Sequence, residues 1–108
     1  MGDYHYTHLP RSVIYVLRAE CTDYERRRAA IKSIDTPEDV VAAHRRRNEA
    51  IDDALCSIEL PLRSAILNDI ILAKGYDKSP AAAIASKSLY YSRKHRVMEA
   101  LAKNLLLI

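Results

Sequence analysis

The sequence predicts an all-α fold, and three observations carry that prediction. Glycine occurs only at Gly2 and Gly75, and the four prolines, Pro10, Pro37, Pro61 and Pro80, all stand where helices can begin or break. The chain is rich in Ala, Leu, Arg and Glu, residues that favour helix and are sparing in turns. Apolar residues recur three, four and seven apart along most of the 108 residues, the period of a helix face turned to a core. A chain of this length makes one domain. Hydrophobic residues make up 49% of it, enough to fill a core, although Phe and Trp are absent and Leu, Ile, Val, Ala and Tyr must do the filling.

The first helix is expected to start at Pro10, which suits a first helical turn. Ile14, Leu17, Cys21, Tyr24, Ile31 and Ile34 then share a face, with Arg28 in the intervening slot, so one long helix is expected with Arg26, Arg27 and Arg28 near its C-terminal half. The break comes at residues 35–39, where Thr36 is placed as an N-cap, Pro37 as the first helical residue and Asp39 as the acid three positions beyond the cap. The second helix carries Val40, Val41, His44, Ile51, Leu55 and Ile58 on its apolar side and the run Arg45, Arg46, Arg47. So short a joint predicts an antiparallel hairpin over residues 9–59, with Val41, Ile51 and Leu55 against Ile14, Leu17 and Tyr24. The two arginine triplets invite a nucleic-acid reading, but acids bound both, Asp23 and Glu25 before one and Glu49, Asp52 and Asp53 after the other, which favours solvated faces with pairing at i to i+4.

Residues 60–108 form the second half. Pro61 should close the second helix, because the residue before a proline is pushed away from helical geometry. Leu62 opens a third helix that buries Ile66, Leu67, Ile70 and Ile71, with Gly75 as its stop. Asp77 or Ser79 caps a short segment with Pro80 in its first turn, and Ala81, Ala82 and Ala83 offer a smooth surface for close packing. The last helix, from Ser86 to Leu107, carries Tyr90, Val97, Leu101 and Leu105 on one face. A second face carries Lys87, Ser88, Tyr91, Ser92 and His95, with Arg93, Lys94 and Arg96 on its margins. A basic face with short side chains at its N-terminal end suits the DNA major groove, its first turns against base edges and its arginines against phosphates; periodicity alone fits equally an amphipathic core helix with an ordinary solvated basic face.

Several function classes find no support in the residues. There is no glycine-rich phosphate loop, no nucleophile motif and no His/Cys metal spacing, so neither an enzyme nor a cofactor is predicted. His44, on an apolar face with no Ser, Cys or paired carboxylate placed to work with it, reads as a buried, hydrogen-bonded histidine. His5 and His8 lack further ligands, and no metal site is expected there. Cys21 and Cys56 both fall at apolar positions, as reduced core thiols of a cytoplasmic protein would. Met1 to His8 is polar and lacks the apolar core of a signal peptide, and the closing LLLI is too short to cross a bilayer, so no membrane partner is expected. The net charge of +3 is mild and does not by itself identify a nucleic-acid partner.

Particular residues in the second half carry a resemblance. Leu60-Pro61, Arg63 and the stretch Ser86-Lys87-Ser88-Leu89-Tyr90-Tyr91 resemble region 4 of bacterial sigma factors, where a Leu-Pro opens the first helix and a Ser caps the recognition helix. The tail SKSLYYSRKHRVMEALA is similar to the close of small phage-encoded, sigma-like transcriptional regulators of the ArpU and RinA type. The resemblance covers the last half of the chain. It implies a sigma-region-4-like helix-turn-helix, with double-stranded DNA as partner and transcription regulation as function in a phage or prophage. Ser86 would cap the recognition helix, Lys87, Ser88, Tyr91, Ser92 and His95 would face bases, and Arg93, Lys94 and Arg96 would touch phosphates. The hairpin would then serve homodimerisation or contact with RNA polymerase. Two positions depart from the pattern: Ser79-Pro80 stands where the family has Ile-Ala, and Ile84 where it has a glycine. A bulky Ile at positive φ would be strained, so either the turn is looser or residues 79–107 run as one helix. The alternative function is a helical protein-protein interaction or dimerisation module without DNA binding.

Overall fold

The computed structural model describes residues 8–108, so His5 of the two N-terminal histidines lies outside the described residues, while His8 is exposed. The regular structure is helical throughout, with α1 at Arg11–Thr22, α2 at Tyr24–Lys32, α3 at Glu38–Leu55, α4 at Leu60–Leu72 and α5 at Lys87–Asn104. Two 3-10 turns, Tyr76–Lys78 and Pro80–Ala83, join α4 to α5, and no strand occurs among the described residues.

The expected single N-terminal helix is two helices. Pro10 stands just before α1 in extended geometry, its carbonyl accepting from the Ile14 amide at 3.1 Å. At Asp23 (φ −84°, ψ −2°) the helix is interrupted for one residue. The interruption gives α1 and α2 different partners. Ile14, Leu17 and Cys21 of α1 are buried and α1 packs against α4 and α5, whereas α2 lies along α3. Ile34, expected to extend the apolar stripe, falls beyond the end of α2 and is 97% exposed.

Helix α3 follows Pro37, which caps it without a side-chain bond, so Thr36 sits one residue outside the capping position. Glu38 and Asp39 occupy its first turn, where the helix dipole favours acids. Val40 is exposed and Val41 half-buried; the core of α3 begins only at Asn48 and runs through Ala50, Ile51, Ala54 and Leu55. His44 is half-buried rather than a core histidine, and Cys56, just past the end of α3, is exposed while Cys21 is buried. The amides of Ser57 and Ile58 turn back onto the carbonyls of Ala54 and Leu55, so the chain leaves α3 early and Pro61 lies in the first turn of α4 instead of closing the preceding helix.

Leu62, Ile66 and Ile70 of α4 are buried, and Leu67 and Ile71 pack half-buried beside them. The helix stops at Ala73, which adopts left-handed geometry (φ 54°), with the Lys74 amide donating back to the Asp69 carbonyl at 2.9 Å. Gly75 is therefore not the stop. The short segment that follows is 3-10 rather than α-helical: Ser79 Oγ accepts from the Ala81 amide at 3.1 Å, and Ala81, only 1% exposed, makes the close packing its size allows. Ile84 sits at φ −127°, so the expected strain does not arise, and the chain turns instead of continuing as one helix. Ser86 then caps α5 through its Oγ, which accepts from the Leu89 amide at 3.1 Å.

Helix α5 touches α1, α3 and both 3-10 turns. Tyr90, Val97, Met98, Leu101 and Ala102 are buried on it, while Leu105 lies half-buried just beyond its end. Asn104 Nδ2 donates to the Ala50 carbonyl at 3.0 Å and ties the far end of α5 to α3. Leu17, Ile51, Ile66 and Leu101 are at most 1% exposed, each contributing about 1.5–3 kcal/mol through removal from water. No helix among the described residues is long and apolar enough to cross a membrane.

Candidate nucleic-acid interface

The N-terminal half of α5 presents one side to the core and another to solvent. Tyr90 and Val97, seven residues apart, anchor the inner side. Lys87, Ser88, Tyr91, Ser92 and His95, which recur at helical spacing, line one shallow concavity on the outer side. Lys87, Ser88 and Ser92 are exposed, and the two short serine side chains leave the concavity open. Tyr91 and His95 form its half-buried wall, their rings stacked at 6.0 Å and 29°.

Tyr91 is fixed in place rather than free to swing. Its hydroxyl accepts from the Tyr76 amide at 3.2 Å, and its ring meets that of Tyr90 edge-on at 5.0 Å. A Cβ at position 75 would stand 2.9 Å from that hydroxyl, which explains the glycine there by close approach instead of by helix termination. Tyr76 adds a second clamp, its own hydroxyl donating to the Ala85 carbonyl at 2.8 Å just ahead of the Ser86 cap.

The three cations expected at phosphates fare differently. Lys94 is fully buried, its Nζ donating to the Lys74 carbonyl at 2.6 Å and lying 5.7 Å over the Tyr90 ring. It is a core residue, and the assignment to DNA phosphates does not hold for it. The reason is its position, four residues after Tyr90 and three before Val97, which puts it on the apolar stripe. Arg93 donates from Nε to Glu59 Oε1 at 2.7 Å and is only 21% exposed. That pairing holds the Glu59 carboxyl below its ordinary range and raises Arg93 further. Arg96 is exposed, with Nη1 reaching 3.4 Å toward the Ser57 carbonyl. Arg93 and Arg96 thus both lean toward the joint between α3 and α4.

Two buried polar arrangements hold this frame and were not anticipated. Tyr90 donates its hydroxyl to Asp69 Oδ2 at 2.7 Å, joining α5 to a carboxylate buried on α4. Arg27, expected on a solvated face, is 2% exposed: its Nε donates to Asn48 Oδ1 at 2.8 Å, Nη2 to the Glu20 carbonyl, and Nη1 lies 3.6 Å from the Glu20 carboxylate. Asn48 completes the link by donating to the Tyr24 carbonyl at 3.1 Å, and Tyr24 donates to Asp52 at 2.6 Å; burial, and after it this bond, pushes the Tyr24 phenol up to about 12.

Among the described residues, no group of three or more His, Cys, Asp or Glu side chains could hold a metal ion. No protein-family model matches the chain, and neither a curated protein nor a solved structure is similar enough to count as a relative. Fold and geometry therefore define the class on their own: an all-helical protein presenting the polar, basic-edged first turns of its last helix.

Proposed function

We propose that this protein is a sequence-specific regulator that lays the first turns of α5 into the major groove of double-stranded DNA. One observation carries the reading. Lys87, Ser88, Tyr91, Ser92 and His95 line a single exposed concavity on a helix whose opposite side is anchored in the core. A rigidly seated helix with Ser88 and Ser92 outward meets base edges there without losing much side-chain freedom, while Lys87 supplies a longer, charged reach. Lys87, Ser88 and Ser92 would make the central contacts, with Tyr91 and His95 as the wall. Arg96 would reach phosphate directly, and Arg93 would do so by exchanging Glu59 for a phosphate. The succession of α4, two 3-10 turns and the Ser86-capped α5 supports a helix-turn-helix order for this half. Helices α2 and α3, with Arg45 and Arg46 outward, would act as a hairpin for a second copy of the chain or for RNA polymerase.

A second reading, an interaction module without DNA binding, draws support from the burial of Lys94 and the pairing of Arg93, which leave fewer cations for phosphate. Selection from random duplexes, followed by titration of the selected duplex against salt, separates the two. The regulator reading expects an enriched sequence and a log-log slope that loses about 0.9 for each phosphate contact removed. A module bound through an apolar helical surface gives no enriched sequence and little salt dependence.

A further inference from the structure

A second, half-open concavity of ≈ 580 Å³ lies between α1, the end of α4 and α5. That volume suits a small organic molecule, for which clefts of roughly 300–1,000 Å³ are usual. Its floor is apolar, made by Ile14, Ile70 and Met98. Cations line it, Arg18, Lys74 and Lys78 together with the buried Lys94, and Asp77 is the one carboxylate among the described lining residues.

Arg18 makes this arrangement informative. Its Nε is buried and has no hydrogen-bond partner among the described residues, and a guanidinium N–H shut off from water without an acceptor is costly. Lys94 adds an ammonium held inside the fold by the Lys74 carbonyl and the Tyr90 ring. Arg18, Lys74 and Lys78, set against Asp77, leave an excess of positive charge whose field favours an anion between them. Point charges on lysines together with the flat fork of an arginine suit a doubly charged phosphate better than a singly charged carboxylate.

We propose that this cleft binds a small phosphate monoester carrying an apolar or aromatic body, the phosphate among Arg18, Lys74 and Lys78 and the body over Ile14, Ile70 and Met98. The site is distinct from the concavity assigned to DNA, sharing only Tyr91 with it, and does not depend on that assignment.

Calorimetric titration of the full chain at fixed ionic strength, without DNA, tests the site with phenyl phosphate, benzoate and benzyl alcohol. The expected result is one saturable site for phenyl phosphate with a Kd below about 1 mM. Benzoate should bind at least about tenfold more weakly, and benzyl alcohol should give no saturable heat. Lys78→Gln, at an exposed position that leaves the core intact, should weaken phenyl phosphate binding several-fold, and Arg18→Gln should do so more strongly. Arg46→Gln, on the exposed face of α3, should leave it unchanged. The proposal is overturned if phenyl phosphate gives no saturable heat, if benzoate binds as tightly, or if Lys78→Gln and Arg46→Gln have equal effects.

Discussion

Two stretches of this chain read Arg-Arg-Arg, and they meet different fates. In Arg45-Arg46-Arg47, on α3, all three side chains are exposed. In Arg26-Arg27-Arg28, on α2, the outer two are 64% and 55% exposed while the middle one is 2% exposed and bonded to Asn48 and Glu20. Successive helix residues point about 100° apart, so three in a row sweep more than half the circumference. Although α3 packs against both α2 and α5, its run falls where neither helix covers it, and all three side chains stay exposed. Where the run straddles the contact, one must go in. The same geometry buries Lys94 inside the basic run Arg93-Lys94-His95-Arg96 of α5. A basic run therefore reports a solvated face only after the helix's neighbours are known. Glu20 joins the two triplets, meeting Arg27 on one side and Arg47 at 2.8 Å on the other.

The contrast can be broken by mutation, and the largest effect is expected at its buried end. Arg27→Gln should cost about 3–5 kcal/mol in urea melts, because it leaves the buried Asn48 Oδ1 without its donor and takes one of two arginines from Glu20. A loss below 1 kcal/mol, on that order, would place Arg27 in water after all. Leu55→Ala, which removes α3 side chain from the same side of the protein, should cost about 2–5 kcal/mol as a truncation into a cavity. In the second half, Tyr90→Phe keeps the ring and removes the donor to Asp69, so its expected cost is smaller, about 1–3 kcal/mol, from leaving a buried carboxylate oxygen unmet. Arg46→Gln completes the series at the exposed triplet, with a change within about 0.5 kcal/mol.

The two cysteines sharpen the comparison further. Burial pushes the Cys21 thiol up to about 12, from an ordinary value of 9.0. The folded state thus favours the neutral thiol, a preference fully present below pH 9 and lost as the pH rises through about 12. Thiol labelling of the native protein at pH 8 should modify Cys56, which is exposed, and spare Cys21 until the chain unfolds. Two labels per native chain would show that the α1 side of the core opens readily.

Periodicity made the helical class legible, along with Ile66 and Ile70 on α4 and Tyr90, Val97 and Leu101 on α5, and the Ser86 cap followed from a serine placed ahead of an apolar-periodic run. What it could not show was a change of phase. One interrupted residue, Asp23, separates α1 from α2, and the basic residue facing inward is Arg27 where uninterrupted counting had placed Arg28 in the slot. Lys94 was legible in principle, since it stands at helical spacing from Tyr90 and Val97, but its charge and its basic neighbours argued for water. Its burial depends on the Lys74 carbonyl, freed where α4 ends at the left-handed Ala73, and that feature has no local signature. Gly75 was misread for a related reason: the close approach of Tyr91, sixteen residues onward, belongs to the tertiary structure.

The central claim, that the outer face of α5 reads DNA sequence, is tested most directly by one ratio. The affinities of the unmodified chain and of Ser88→Ala are measured on the selected duplex and on a scrambled duplex at the same salt. Ser88 is exposed and no core contact depends on it, so the fold should be unaffected. Loss of a base contact should lower affinity for the selected duplex by about 1–3 kcal/mol, roughly five- to 150-fold, and leave the scrambled duplex nearly untouched. Equal loss on both duplexes, or no change on either, would contradict the claim.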